Sequence, residues 1–458
     1  MAAISTRESV PRVMWTPTKR DVERSEMTRF MRFVEQKYHA LPMSTYDELH
    51  SWSVTNSDQF WMALWKFIGI KASVQPVQAY DDITKFPGCK FYPGALMNFA
   101  ENMLKFRDDR PAIIWQCDSS SKNRTITYKQ LYDRVSIFAQ ALKVARVKVG
   151  DRVVGFIPNI PDAVVAMLAA TSMGAIWSSC SPDFGVQGVM DRFGQIEPVV
   201  LFTTTGYFFK GKRVDMMDRL KQIVSSLKTL KKVVFVPYTE GIDFKLDIRP
   251  IKNGIHLIDF VKSIEPNEIE FEQLPFDHPV YIMYSSGTTG LPKCIVQGPG
   301  VLINHMKEMT LHCNATRDDK IFYYTTTGWM MWNWLFSALS IGATVVCWEG
   351  NPCYPEWDSL WEMAERTGLT LFGTSAAYLQ AIMNAGCEPG AKFDLQKLRT
   401  ICSTGSPATE VVFDYVYSKI KSDVQFASIS GGTDLNGCFA LGCPILPVHL
   451  GELQCLGL

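Results

Sequence analysis

The sequence predicts an α/β protein: a large domain of open sheets covered by helices, preceded by a helical N-terminal extension. Three observations predict it. Short runs of Val, Ile, Phe and Leu recur from about residue 110 onward with little polar alternation, as strands buried on both faces require. Between them lie segments of helical apolar periodicity with recognisable starts and stops. The chain has 458 residues with 46 Lys plus Arg against 46 Asp plus Glu, a neutral balance in a chain long enough to bury a large core without disulfide or metal staples.

The elements follow in order. Residues 1–105 form the extension, and residues 106–458 the large domain. Within the extension, Trp52, Phe60, Trp61, Trp65 and Phe67 fit one helical face across Leu49 to Ile70, with Ser57 as a cap near its start. Rings in such number need a partner surface, so the extension is expected to wrap onto the large domain. A Pro- and Gly-containing run from Pro87 to Gly94 ends this pattern. PAIIWQC is the first strand. A helix entered through Thr127 presents Leu131, Val135, Phe138 and Leu142 and is expected to end at Gly150. DRVVGFIPN is a strand, and the next helix opens on Pro161 and closes near Gly174. PVVLFTT, KKVVFVP, VYIMYSS, IFYYTT, GATVVCW, TLFGTS, LRTICSTG and VQFASISGG complete the strands. In open α/β sheets ligands bind beyond the carboxyl ends of strands, so the loops after these runs carry the candidate site.

Composition excludes several functions. A net charge of zero gives no overall attraction to nucleic acid or anionic lipid. Ile321 to Trp348 holds no charged residue, but Thr325, Thr326, Thr327, Gly328 and Asn333 interrupt it, predicting strand, loop, buried helix, loop and strand rather than a membrane span. The N-terminus lacks the apolar segment of a signal peptide. The twelve scattered cysteines include no Cys-x-x-Cys pair, which suits reduced thiols in the cytosol. His305 and His312 lack metalloprotease spacing and are expected to fill surface or core.

The sharpest chemical signal is the run from Tyr284 to Lys293, directly after a predicted strand. Gly287 and Gly290 permit a tight loop with inward backbone N–H groups. Ser285, Ser286, Thr288 and Thr289 add hydroxyl donors, Pro292 stiffens the exit and Lys293 supplies a full positive charge. Such a loop cradles a polyphosphate. It is neither a Walker A loop nor a dinucleotide fingerprint, and it lacks the Gly-x-Ser-x-Gly order of a serine nucleophile elbow.

The run from Ser285 to Lys293 resembles the phosphate loop of the adenylate-forming acyl-CoA synthetase superfamily. Met97 to Asn102, Trp52-Ser53-Val54 with Phe60-Trp61, and Pro158-Asn159 with Gly174 to Trp177 resemble other segments of that superfamily in order and spacing. From about residue 12 to its end the chain resembles the acetoacetyl-CoA synthetase family. The resemblance implies an ATP-dependent ligase that joins acetoacetate to coenzyme A through an acetoacetyl-adenylate, with small-molecule partners only. It implies that Gly405, Ser406 and Pro407 pack against adenine, with Ser406 where acetate enzymes have Glu. It implies that Thr433 meets the α-phosphate and acts with Lys293 in catalysis. Asp434 then takes the Mg²⁺-holding place at which most relatives carry Glu.

By the same resemblance, Trp329, Met330, Met331 and Gly431 bound the acyl pocket together with Trp334. Gly431 stands where acetate-specific relatives have a pocket-closing Trp, so Gly431→Trp is expected to shift preference toward acetate. Asn333, from its chemistry alone, is the candidate donor to the 3-oxo group. Family members carry a further small C-terminal domain with the lysine that activates the carboxylate. None of its residues falls within 1–458, so the chain is expected to be an incomplete ligase with little activity by itself. Other short-chain acyl-CoA synthetases, and a non-catalytic nucleotide- or partner-binding form of the fold, remain as alternatives.

Overall fold

A computed structural model describes residues 11–238, 247–285 and 290–458, without the side chains at 120–123. Two seven-stranded sheets organise it. The first runs, in spatial order, Gly254–His256, Lys232–Phe235, Val200–Thr203, Arg152–Phe156, Ile176–Cys180, Tyr281–Ser285 and Lys293–Gln297. The second runs Gln425–Ser428, Thr400–Thr404, Leu371–Ser375, Lys320–Tyr323, Thr344–Glu349, Pro111–Cys117 and Ser120–Thr127. Each is parallel except for one antiparallel edge strand, Lys293–Gln297 and Ser120–Thr127 respectively. The predicted apolar runs are these strands. The sequence reading has no strand at Ser120–Thr127, Ile176–Cys180, Gly254–His256 or Lys293–Gln297: three are edge strands, only half covered and so poorer in apolar residues, and IWSSC carries two serines and a cysteine in place of an apolar run.

Burial alternates along each strand. Val153 joins the core between the sheets, whereas Val154 joins the cluster under Val186–Phe193 and Met217–Ser226 on the first sheet's outer face. Ile401 and Phe426 point to the second sheet's outer face, under Ser359–Thr367 and Ala376–Asn384, while Cys402 and Ala427 point inward. The helix Pro161–Ser172 lies wholly buried between the layers, with Pro at its first turn and Gly174 at φ +77° after its end. Thr127 caps Tyr128–Val144 in a reciprocal capping box with Gln130, and the predicted face is buried. That helix ends at Val144, six residues before Gly150. The chain turns first at Arg146, which takes the left-handed conformation at φ +60°.

The extension is a layer on the same core: Met27, Phe30, Leu49, Phe60 and Leu64 pack in one cluster with Met97, Phe99 and both sheets' inner faces. One expectation needs correction. Leu49 to Ile70 is not a single helix capped by Ser57. It is two, Tyr46–Thr55 and Ser57–Phe67, broken at Asn56. Thr45 caps the first through a capping box with Glu48, and the Ser57 hydroxyl instead bonds the Tyr80 hydroxyl at 2.7 Å. Among the described residues no helix is long and apolar enough to cross a membrane. Ile321 to Trp348 resolves into the strand, loop, helix and strand that its polar interruptions predict.

Asn159 ties the sheets together. Its backbone N–H donates to Glu349 Oε2 at 2.6 Å, its side-chain amide reaches the Trp348 carbonyl, and Trp332 Nε1 donates to its Oδ1 at 3.0 Å. Burial pushes the Glu349 carboxyl up to about 8.

Candidate active site

The strand Tyr281–Ser285 and its antiparallel partner Lys293–Gln297 form the walls of the predicted phosphate loop. Ser285 lies opposite Lys293 in register, and Gly290 takes φ +92° where the chain turns back. Lys293 is exposed at the hairpin mouth. Ser286, Gly287, Thr288 and Thr289 lie outside the described residues. Below the mouth Tyr284 is held by the Ser178 hydroxyl, which donates to its phenol oxygen at 3.0 Å.

The second and third predicted segments meet at one cavity of about 530 Å³ at the carboxyl ends of the second sheet's strands. Gly405, at φ +88° after the strand Thr400–Thr404, lines it. Ser406 and Pro407 follow on its exposed rim. Gly431, Gly432 and Thr433 line the facing side. Trp329, Met330, Met331 and Trp334 form a third wall, from the start of the helix Met330–Phe336. Trp329 is 64% exposed and so stands at the entrance. Thr326 and Thr374 border this cavity, but both hydroxyls are buried away from it without a protein partner, that of Thr374 on the face opposite Cys402 and Thr404.

Asn333 is not on the wall of this cavity. It lies 8% exposed on an adjoining crevice of about 20 Å³, shared with Thr433, Tyr284 and Trp177. Its Oδ1 and the Trp177 Nε1 are a buried acceptor and donor without protein partners there. The crevice brings Thr433 beside the strand that leads into the phosphate loop.

Thr433 and Asp434 sit in the turn joining the short strands Ser430–Gly432 and Gly437–Leu441. Asn436 closes that turn in the left-handed conformation, φ +49°, with its N–H on the Gly432 carbonyl at 2.9 Å. Its side chain donates to the Tyr281 hydroxyl at 2.9 Å, and buried His305 bonds its carbonyl at 3.1 Å. The turn is thereby pinned to the strand Tyr281–Ser285 that leads into the predicted phosphate loop. Asp434 is exposed, and no group of three His, Cys, Asp or Glu side chains able to hold a metal occurs among the described residues. A lone carboxylate suits Mg²⁺, which takes one or two carboxylates with phosphates and water.

Gly431 has a structural reason that sequence reasoning missed. A Cβ there would lie 2.2 Å from the Gly437 carbonyl oxygen of the paired strand. A Trp at 431 would collide with backbone before filling the pocket, so the expected Gly431→Trp switch does not hold. Gly432 is the open position, with nothing within 4 Å of its Cβ site.

Buried Glu308 also escaped sequence reasoning. It begins the π-helical turn Glu308–His312 and lines the cavity. Its Oε2 accepts the Trp334 indole N–H at 2.8 Å and its Oε1 the Cys438 N–H at 2.9 Å, fixing two cavity walls at once. His305 and His312 are both core residues, and His312 is also part of the cavity wall.

The family model described as AMP-binding enzyme matches residues 99–448. The acetoacetyl-CoA synthetase of Danio rerio is 43% identical over 452 residues, covering 97% of this chain and 66% of that protein. The acetoacetyl-coenzyme A synthetase of Rhizobium meliloti is 42% identical, covering 98% of this chain and 68% of that protein. The solved acetoacetyl-CoA synthetase from Streptomyces lividans superposes with a TM-score of 0.92 at 40% identity, over 98% of this chain and 69% of that one. The chain thus spans about two thirds of the length of these relatives.

Proposed function

Because the chain belongs to the acetoacetyl-CoA synthetase family of AMP-binding enzymes, we propose that it is the nucleotide- and acid-binding part of an ATP-dependent acetoacetate–CoA ligase. The observation that carries the proposal is the single cavity on which the Gly405 loop, the Thr433 turn and the Trp329–Met331 wall converge.

In this reading the acetoacetate carboxylate attacks the α-phosphorus of ATP and pyrophosphate leaves. The CoA thiol then displaces AMP from the acyl-adenylate. The backbone of Gly405, Ser406 and Pro407 borders adenine. Thr433 donates to the α-phosphate, held in place by Asn436 and Tyr281. Ser285, Gly290 and Lys293, with the loop between them, cradle the leaving phosphates, and the Lys293 ammonium offsets the charge that builds there. Asp434 is the residue that would hold Mg²⁺, which when bound supplies further charge neutralisation at the phosphates. Trp329, Met330 and Met331 enclose the acyl group beside Gly431. Asn333 is the candidate polar partner of the 3-oxo group, from the crevice it shares with Thr433. The proposed compartment is the cytosol, where thiols stay reduced; all twelve cysteines are free.

The test is AMP release and CoA-thioester formation with acids of two to six carbons, on this chain and on a form extended to the relatives' length. Acetoacetate should be the best small acid. Equal or better rates with acetate or propionate would move the assignment to another short-chain ligase. Nucleotide binding without turnover in either form would favour a non-catalytic role.

A further inference from the structure

The cavity is deeper than a four-carbon acid requires, and its depth follows one strand. Thr404, Cys402 and Thr400 all line it. They alternate along Thr400–Thr404, so they are successive inward-facing residues from the carboxyl end of the strand to its amino end. Ala427 and Ile429 continue the same face on the neighbouring edge strand and its exit, and Tyr323 does so on Lys320–Tyr323. Opposite them stand Cys313 after the π-helical turn and Cys438 and Leu441 on the strand Gly437–Leu441. At about 3.3 Å per residue, the four steps from Thr404 to Thr400 span roughly 13 Å. An extended chain advances about 3.3–3.6 Å per three bonds, so this depth takes roughly ten to twelve bonds.

The lower wall is apolar in effect. Its thiols behave as small hydrophobes. Its polar atoms are already engaged within the protein: His312 Nδ1–H donates to the Gly442 carbonyl at 2.9 Å and its Nε2 accepts the Leu458 N–H, while the Thr400 hydroxyl donates to Gln425. Both Glu308 oxygens are likewise occupied. Acetoacetate, with its carboxylate at Thr433, would end near Gly431 and leave this lower half unfilled.

We propose that the acyl site is a chamber running down the inner face of the second sheet and that it takes straight-chain carboxylic acids of about six to ten carbons, as their adenylates, in addition to acetoacetate. This rests on the ligase reading above, which supplies the nucleotide end of the site.

The experiment is calorimetric binding of N-acylsulfamoyl adenosines, stable mimics of acyl-adenylates, to the full 458-residue chain. The acyl group is varied through acetoacetyl, butanoyl, hexanoyl, octanoyl and dodecanoyl. Apolar burial tightens Kd by roughly two- to fourfold per added methylene up to octanoyl, and dodecanoyl gains nothing further. Ala427→Phe, which fills the lower half, lowers the butanoyl-to-octanoyl Kd ratio by about tenfold or more. Cys402→Leu, a milder filling from the adjacent strand, lowers it by less. The proposal is overturned if butanoyl and acetoacetyl analogues bind but octanoyl binds no tighter, or if the octanoyl gain survives in both variants. Absence of binding by every analogue overturns the ligase reading itself.

Discussion

In the proposed function Lys293 and the two glycines at 431 and 432 are the residues that test the site most sharply. Lys293 is exposed at the mouth of a hairpin, free to swing to a phosphate, and the glycine-containing run before it is expected from its sequence to add backbone N–H donors. Lys293→Ala should therefore reduce acetoacetate-dependent adenylate formation partially, on the order of 10- to 1,000-fold; unchanged turnover would remove this lysine from the site. Gly431 and Gly432 are neighbours with opposite tolerances. Gly431→Ala forces a Cβ against the Gly437 carbonyl and should lower thermal stability, overpacking of this kind costing about 1–3 kcal/mol. Gly432→Leu enters open space on the cavity wall and should fold normally while shifting kcat/KM from acetoacetate toward acetate, by about tenfold or more. If Gly431→Ala melts like the parent and Gly432→Leu leaves the ratio unmoved, the pocket geometry argued here is wrong. The hairpin that frames the predicted phosphate loop begins on a strand legible in the sequence, because the signal of that strand is contiguous. The role of Gly431 was not legible there, because it depends on a strand partner whose approach no single segment reveals.

Among the elements, most sheet strands and the helix starts at Thr127 and Pro161 were legible because apolar runs, cap residues and an N-terminal proline are local signals, whereas Ile176–Cys180 and three edge strands lack such a run. The pinning of the Thr433 turn was not legible either, since it joins Tyr281, His305 and Asn436 across more than a hundred residues. The same holds for the junction of the two sheets at Asn159 and Glu349. There the carboxyl of Glu349, raised to about 8 by burial, carries a pH signature. Below the ordinary carboxyl range Glu349 is protonated in both states. As pH rises to about 8 the unfolded chain ionises it while the folded one resists, so stability falls across that window and levels off above it. Glu349→Gln keeps an acceptor for the Asn159 N–H and removes the penalty. Its melting temperature should exceed the parent's at pH 8–9 by a few degrees and match it near pH 4. A parallel pH profile in parent and variant would contradict the buried, protonated carboxyl.

At the scale of the molecule, the aromatic-rich extension belongs to the same core as the sheets. Its ties are specific as well as apolar: the Glu26 N–H donates to Asn314 at 2.8 Å, the Trp15 indole to Asp423 at 3.1 Å, and Val13–Trp15 pairs with Val448–His449. The Tyr46 hydroxyl donates to the Leu456 carbonyl beside His312. A 106–458 fragment should therefore aggregate or lose cooperative unfolding; a soluble fragment that melts like the parent would show the extension to be independent. All of this architecture serves one claim, that the carboxyl ends of the strands hold ATP and acetoacetate together for adenylation. The most direct test is acetoacetate-dependent exchange of labelled pyrophosphate into ATP, measured on the chain and on a form extended to its relatives' length. The account predicts exchange in the extended form that requires acetoacetate and is weaker with acetate. Exchange that is absent with every acid, or stronger with acetate than with acetoacetate, would contradict it.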